Sequence, residues 1–264
     1  MKVAVVSGAS GGIGKESAKR LVSKGYRVYD LSRSGEDDGQ ILHIYADVTQ
    51  EETIEKAFAQ IKAREGKIDL LLLCAGFGIS GAAEFTEITD AKRQLEVNFF
   101  GVHLCTKYAL PLLRESKGRI LAISSAAAVF PIPFQSFYSA SKSAINTYIL
   151  ALRNEVRRFG ITAAVIMPGD VKTGFTAARQ KEKAGEDVYG GCIGTSVAVM
   201  EKDEESGMKP ENVAKYIVRI AEKKRIRPLY TAGLIYKVFI GIQKVLGMTI
   251  VNAILGKMYI KNPK

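Results

Sequence analysis

"KVAVVSGASGGIG", residues 2–14, passes from a β-branched apolar run into four glycines crowded between positions 8 and 14. The apolar run is short enough for one strand. From Ile13 to Lys24 the residues Ile13, Ala18, Leu21 and Val22 follow at helical spacing, so the stretch predicts strand, glycine turn, helix. Glycines at that junction let the backbone turn sharply and approach a pyrophosphate, whose charge the first amides and the dipole of the helix would stabilise. Gly8, Gly12 and Gly14 are spaced GxxxGxG rather than GxGxxG. A tight turn with no ligand is the competing reading of the turn by itself.

Working outward, "YRVYDL" and "ILHIYA" predict strands, and "TQEETIEKAFAQIKAREG" an amphipathic helix with Thr49 as N-cap and Glu52 three residues on. "IDLLLLCAG" predicts a buried strand, Ile88 to Ser116 a broken helical region, and "GRILAISS" a further strand. Ser136 to Phe159 predicts a long helix and "ITAAVIMPG" another strand. Strands apolar on both faces and alternating with helices imply a parallel sheet covered on both sides, because right-handed crossovers put helices there. The fold class expected is α/β, a doubly wound parallel sheet of Rossmann type. One domain accounts for residues 1–264, with two additions. Residues 173–210, rich in glycine and charge, read as a substrate lid in preference to a plain loop. Residues 232–264 read as a basic, apolar helical extension.

Composition narrows the function. At 264 residues and 47% hydrophobic content, the chain buries a full core. Cys74, Cys105 and Cys192 are few and widely spaced, which suggests neither a disulfide framework nor a zinc knuckle and points to a reducing cytoplasm. His43 and His103 have no Cys or carboxylate cluster beside them in sequence, so no metal is expected. The first apolar run is too short for a signal peptide. Of the net charge of +11, residues 209–264 carry twelve Lys and Arg against Glu211 and Glu222, a net of +10. Nucleic acid is not the expected partner, because no groove-reading motif accompanies the charge.

The end of the second strand decides which dinucleotide would bind. In "GYRVYDLSRSG", Asp30 lies inside the apolar run, whereas Ser32 and Arg33 lie at the tip, where an adenosine ribose would arrive. A permanently charged, bidentate guanidinium suits a 2′-phosphate better than a diol. NADP(H) is therefore the expected cofactor, with NAD(H) as the alternative. Downstream, "YSASK" places Tyr138 and Lys142 four apart on one helix face. An ammonium beside a phenol lowers its pKa and fits it for proton transfer to a carbinol oxygen. Ser125 ends a strand at the same predicted sheet edge and could donate to a substrate oxygen, with Ser124 as the competing serine.

Taken together, these motifs resemble the short-chain dehydrogenase/reductase family, from Lys2 through the sixth strand into "PGDVKT". The family's glycine turn is matched by "SGASGGIG", with Ser7 in place of Thr and with Ser10 and Ile13 inside the cofactor-binding turn. "DVT" supplies Asp47 and Val48 as implied adenine contacts. "LCAG" matches at Ala75 and Gly76, with Cys74 replacing an Asn. The resemblance implies Asn98, Ser125, Tyr138 and Lys142 as the catalytic set, the thirteen-residue gap from Ser125 to Tyr138 favouring Ser125 over Ser124. It also implies Pro168, Gly169, Val171 and Thr173 at the nicotinamide end. Hydride transfer between the nicotinamide and a substrate carbon is the implied activity. Tyr138 would be the acid, Ser125 would hold the carbonyl oxygen, Lys142 would depress the tyrosine pKa and bind the nicotinamide ribose, and Asn98 would hold a relay water.

"GYRVY", "LSR", "CAGFGISG" and the C-terminal extension are most similar to the 17β-hydroxysteroid and retinol dehydrogenase-like branch. The apolar candidates Phe77, Phe130, Phe134, Phe175 and Tyr189 suit a pocket for a bulky hydrophobic ketone or alcohol, in the order steroid, retinoid, long-chain acyl ketone. A 3-oxoacyl-carrier-protein reductase is the runner-up. A dinucleotide sensor and a membrane-associated scaffold are the non-enzyme readings. A homo-oligomer is expected. In the tail, Ile235, Val238, Phe239, Ile242, Val245 and Leu246 recur at helical spacing, with Lys237 and Lys244 a heptad apart. Its longest uncharged run is shorter than the roughly 20 residues of a spanning helix. Its apolar face beside lysines could lie on an anionic membrane surface or could cover the substrate pocket or a subunit interface, and the internal or interface role is preferred.

Overall fold

The computed structural model of the chain describes residues 1–260; the end of the expected extension, 261–264, and the side chain of Lys244 lie outside the described residues. The first half runs β1 (Lys2–Ser7), α1 (Gly12–Val22), β2 (Tyr26–Ser32), β3 (Ile41–Tyr45), α2 (Glu51–Glu65), β4 (Leu70–Leu73), β5 (Ile79–Ser80), α3 (Ile88–Leu95), a π-helical turn (Glu96–Phe100) and α4 (Gly101–Ser116). The second half runs β6 (Arg119–Ile123), α5 (Ser136–Val156), β7 (Thr162–Pro168), α6 (Phe175–Ala178), β8 (Gln180–Lys181), α7 (Cys192–Glu205), α8 (Pro210–Ala221), β9 (Leu229–Ala232) and α9 (Leu234–Tyr259).

Seven strands form one parallel sheet in the order β3-β2-β1-β4-β6-β7-β9. The order reverses between β1 and β4, which opens a crevice at their carboxyl ends. β1 buries five of its six residues, and its two faces enter different cores. Val3 and Val5 pack with Ile54 and Ile61 of α2, Leu113 of α4 and Ile149 of α5. Ala4 and Val6 pack with Leu21 of α1 and Ile217 of α8. This period of two, apolar on both sides, is what a strand sandwiched between helix layers requires.

One detail differs from the sequence reading, and the expected break in the helical region from Ile88 to Ser116 is present. Thr49 does not cap α2: its amide and hydroxyl donate to the Asp47 carboxylate at 3.0 and 2.8 Å, and the helix starts after Gln50. The short acceptor two residues back captures the threonine before the helix can. The long helical region divides at the π-helical turn, which puts one extra residue per turn at Asn98.

The segment expected as a lid is ordered. β8 pairs in parallel with β5, Ile79 opposite Gln180 and Ser80 opposite Lys181. Arg179 is fully buried and ion-paired with Glu204, whose other oxygen accepts from Thr176 Oγ1 at 2.6 Å. With the Gln135 amide oxygen turned towards it, Arg179 Nε donates at 3.0 Å. Deleting one partner strands the other charge out of water, so Glu204→Leu should cost about 3–5 kcal/mol. Adding Arg179→Met should recover most of that loss. Urea denaturation of the single and double variants checks this; an equally unstable double variant would contradict it.

Candidate active site

The glycine turn is built by close approach. Any side chain at Gly14 would collide with the Gly8 carbonyl oxygen, and a Cβ on Gly8, at φ +75°, would sit 2.9 Å from the Ala75 Cα. A tight four-residue turn, 8–11, therefore joins β1 to α1, and the first residues of the helix, Gly12 to Gly14, line the crevice with the unpaired amides of a helix start. Gly12, at φ +53°, faces Thr173 across the crevice, where a Cβ would reach the Thr173 Cβ at 3.5 Å. That gap is the kind of cradle a pyrophosphate fits, and a side chain would fill it.

Asp30 holds this turn from below. Its carboxylate is buried and accepts from the Ala9 amide at 2.9 Å and the Ser32 hydroxyl at 2.7 Å, with His43 Nδ1 at 3.3 Å. Asp30 is thus committed to the fold. Ser32 is buried with its hydroxyl proton spent, which removes it as a phosphate donor, while Arg33 stands exposed at the β2 tip beside Ser34. The turn is tied to the neighbouring strand by Ser7, whose hydroxyl accepts from the Cys74 amide at 3.2 Å and the Ala75 amide at 3.4 Å. A serine suffices for this because only the hydroxyl is used. Burial pushes the Cys74 thiol up to about 12, and Lys142 opposes that shift.

Four residues from three elements converge beyond β4 and β6. Asn98, in the π-helical turn, is fully buried: its Oδ1 accepts from the Phe77 amide at 3.0 Å, and its Nδ2 donates to the Phe77 carbonyl at 3.1 Å and to Ser141 Oγ at 3.0 Å. Both amide hydrogens are used by the chain, so the side chain acts here as a clamp behind the cleft and does not line it. Gln94, missed by sequence reasoning, clamps the same segment through the Ile79 amide and the Phe77 carbonyl. Ser124 turns inward and donates to the Lys142 carbonyl at 2.9 Å, whereas Ser125 lines the cleft, accepts from the Ala127 amide at 3.1 Å and acts to lower the Tyr138 phenol.

Tyr138 and Lys142 share the inner face of α5, as their spacing requires, with Lys142 Nζ 5.7 Å from the phenol ring centre. The electrostatics depart from expectation. Burial pushes the Tyr138 phenol up to about 12, against the Ser125 hydrogen bond, and Glu204 and Asp170 add to the rise while Arg179 opposes it. Lys142 Nζ points to the Ile123 carbonyl at 3.1 Å and does not figure among the main influences on the phenol. Burial lowers Lys142 itself to about 8. The pair near neutrality is a protonated phenol beside an ammonium, which is the acid form.

These residues line one cleft of about 1690 Å³. Its lining includes Gly8, Ser10, Gly12, Ile13 and Gly14, with Ser32 and Arg33 at the β2 tip and Asp47 and Val48 after β3. Ala75, Gly76, Ser125, Tyr138, Lys142, Pro168, Gly169, Val171 and Thr173 form the middle. Phe77, Phe130 and Phe175 line it as well, and Phe175 packs on Tyr138 with ring centres 5.6 Å apart. Phe134 and Tyr189 do not. They pack edge to face with each other at 5.6 Å, in a separate cluster with Ala82, Cys192 and Ile193 that anchors the lid, because Phe134 sits at φ +59° and turns its ring away.

The C-terminal extension completes the cleft, so its apolar face takes the pocket-covering role that the sequence offered beside a subunit interface. Tyr236 lies over Gly169 so closely that no side chain fits at that glycine, and its hydroxyl hydrogen-bonds the Asp170 carboxylate. Burial raises the Asp170 carboxyl above the usual carboxylate range. Ile235, Phe239, Ile242, Leu246, Ile254 and Leu255 supply an aliphatic wall. The signal available was the helical spacing of Ile235, Phe239, Ile242 and Leu246, which marks a face without telling what it covers.

A dinucleotide crevice at the sheet reversal, with a serine, tyrosine and lysine at its inner end, defines a nicotinamide-dependent oxidoreductase. Comparison with known proteins agrees. Residues 2–184 match the family described as short chain dehydrogenase, and the chain belongs to that family. It is 37% identical over 227 residues to a 3-ketodihydrosphingosine reductase of Bacteroides thetaiotaomicron, covering 84% of each chain. It is 34% identical to an 11-beta-hydroxysteroid dehydrogenase-like protein of Arabidopsis thaliana, covering 70% of this chain and 64% of that one. The structure superposes on a short-chain dehydrogenase from Streptomyces avermitilis with a TM-score of 0.82 at 27% identity, over 93% of both chains. The hydroxysteroid-like relationship expected from the sequence is therefore present, alongside a sphingoid one.

The buried lysine makes stability depend on pH. Its folded pKa of about 8 lies below the unfolded value of about 10.4, so between those values the unfolded chain binds more protons and stability rises with pH. Between pH 7 and 9.5 the wild type should gain about 2 kcal/mol relative to Lys142→Met in urea denaturation. A difference independent of pH would contradict the depressed value.

Proposed function

We propose that this chain reduces a long-chain hydrophobic ketone with NADPH, reversibly. The observation that carries the reading is the joining of two regions in one cleft: the Ser125, Tyr138 and Lys142 group, and the aliphatic wall of α9. NADPH supplies the hydride when bound. The glycine turn, Asp47, Val48 and the segment from Pro168 to Thr173 would hold it. Ser125 positions the substrate carbonyl oxygen, and Tyr138, protonated at neutral pH, donates the proton that turns the developing alkoxide into an alcohol. Lys142 binds the nicotinamide ribose and stabilises the phenolate left behind. Asn98 serves through the clamp at Phe77, and a relay water would meet the site at its backbone turn, not its amide.

For the cofactor, Arg33 carries the preference for the 2′-phosphate, with Ser34 in place of Ser32. For the substrate, the aliphatic wall and the sphingoid-reductase relative favour a long-chain ketone, which moves ahead of steroid and retinoid. A homo-oligomer in the cytoplasm fits the same reading. Arg33→Ala should weaken NADPH binding roughly tenfold to hundredfold, the loss of about one charge-assisted pair, and leave NADH binding unchanged. Fluorescence titration with both dinucleotides checks it; equal effects on the two would sink the assignment. Tyr138→Phe should bind NADPH normally and lose roughly 10²–10⁴ in kcat. Retained turnover would remove Tyr138 from the role of acid.

A further inference from the structure

The two segments of α9, Leu234–Gln243 and Val245–Tyr259, lie at 113° to each other, with Gly247 outside helical geometry at φ +73°. Among the described residues no single helix is long and apolar enough to cross a membrane. Yet α9 leaves large apolar side chains in water along both segments. Val238 is 51% exposed, Val245 85%, Met248 45% and Ile250 48%, and none of these four lines the cleft. Leu234, Ile235, Phe239, Ile242 and Leu246 do line it and are exposed as well, so the cleft opens to the outside through this helix. An apolar face of this extent marks a docking surface.

Charge decides the occupant. Residues 228–264 contain five lysines and no acid. A second copy docked on this face through a two-fold axis would set like charges against each other. An anionic lipid surface offers the opposite charge to this lysine-rich, acid-free stretch, in which Lys237 and Lys257 are the lysines with described side chains, and offers acyl chains to the apolar residues. Two helical segments that are each too short to span, joined at a bend, suit an element lying in the plane of the interface. We infer that α9 docks the chain on an anionic bilayer surface, with the mouth of the cleft facing the acyl region. A water-insoluble ketone then reaches Tyr138 by sliding along Leu246, Ile242 and Phe239 without crossing bulk water. The docking stands whether or not the catalytic reading does, and only the route to Tyr138 depends on it.

Flotation of the full chain with phosphatidylcholine vesicles, with and without one quarter phosphatidylglycerol, tests the docking directly. The wild type should float with the anionic vesicles and lose at least tenfold of its bound fraction on pure phosphatidylcholine. Val238→Glu with Val245→Glu should lose at least tenfold on anionic vesicles while keeping the circular dichroism spectrum and cooperative melting of the wild type. Lys237→Gln with Lys257→Gln should reduce the preference for anionic over neutral vesicles. Wild type that stays at the bottom of both gradients overturns the inference, as does a glutamate variant that floats like the wild type. Sedimentation in which the glutamate pair halves the wild-type mass, with no flotation, assigns the face to a second copy and also overturns it.

Discussion

Gly14 passes so close beneath the Gly8 carbonyl that nothing larger than hydrogen fits between them, and most of the site follows from that contact. It keeps the turn between β1 and α1 tight, which brings the start of the helix to the crevice. It also sets the turn against Ala75 at the end of β4, so the two strands flanking the sheet reversal are locked together at their carboxyl ends. The supports are polar and buried. Asp30 holds the Ala9 amide from one side, and Ser7 holds Cys74 and Ala75 from the other. Each satisfies a backbone amide that would otherwise be costly to leave unpaired out of water.

On this frame the phenol at the inner end of the cleft keeps its proton near neutrality. Burial is the largest influence on both members of the α5 pair, and it acts in opposite directions, keeping the phenol protonated and easing the ammonium towards neutrality. Lys142 Nζ donates to the Ile123 carbonyl, and the main influences on the phenol are burial, Ser125, Glu204, Arg179 and Asp170. The carboxylates of Glu204 and Asp170 reinforce the acid form, and both are fixed by other parts of the chain, Glu204 by Arg179 in the lid and Asp170 by Tyr236 in the extension. Residues 173–210 and the extension thus act on the Tyr138 phenol electrostatically as well as by walling the cleft.

The doubly wound sheet was legible because its signals are local: β-branched runs, glycines at a strand end, and a periodicity that switches from 2 to 3.6. The cofactor turn and the Ser125, Tyr138 and Lys142 group were legible because spacing along one strand and one helix translates directly into a shared edge and a shared face. What required the structure was long-range. Phe134 and Tyr189 read as pocket residues by composition, but a left-handed backbone at Phe134 sends its ring into the lid cluster. Ser32 read as a phosphate ligand by position, but Asp30 two residues back already takes its proton. Tyr236 and the aliphatic face of α9 are more than sixty residues from Gly169 and over ninety from Tyr138, a separation that no periodicity bridges.

The proposed reduction requires the cleft to join a dinucleotide site to an apolar channel ending at Tyr138. Its most direct measurement is NADPH consumption by the full chain with linear aliphatic ketones of increasing length. Each methylene buried in the channel contributes about 0.8 kcal/mol, so kcat/KM should rise roughly fourfold per carbon until the channel is filled. NADPH that binds without being consumed by any ketone in the series, or a kcat/KM indifferent to chain length, would contradict the account.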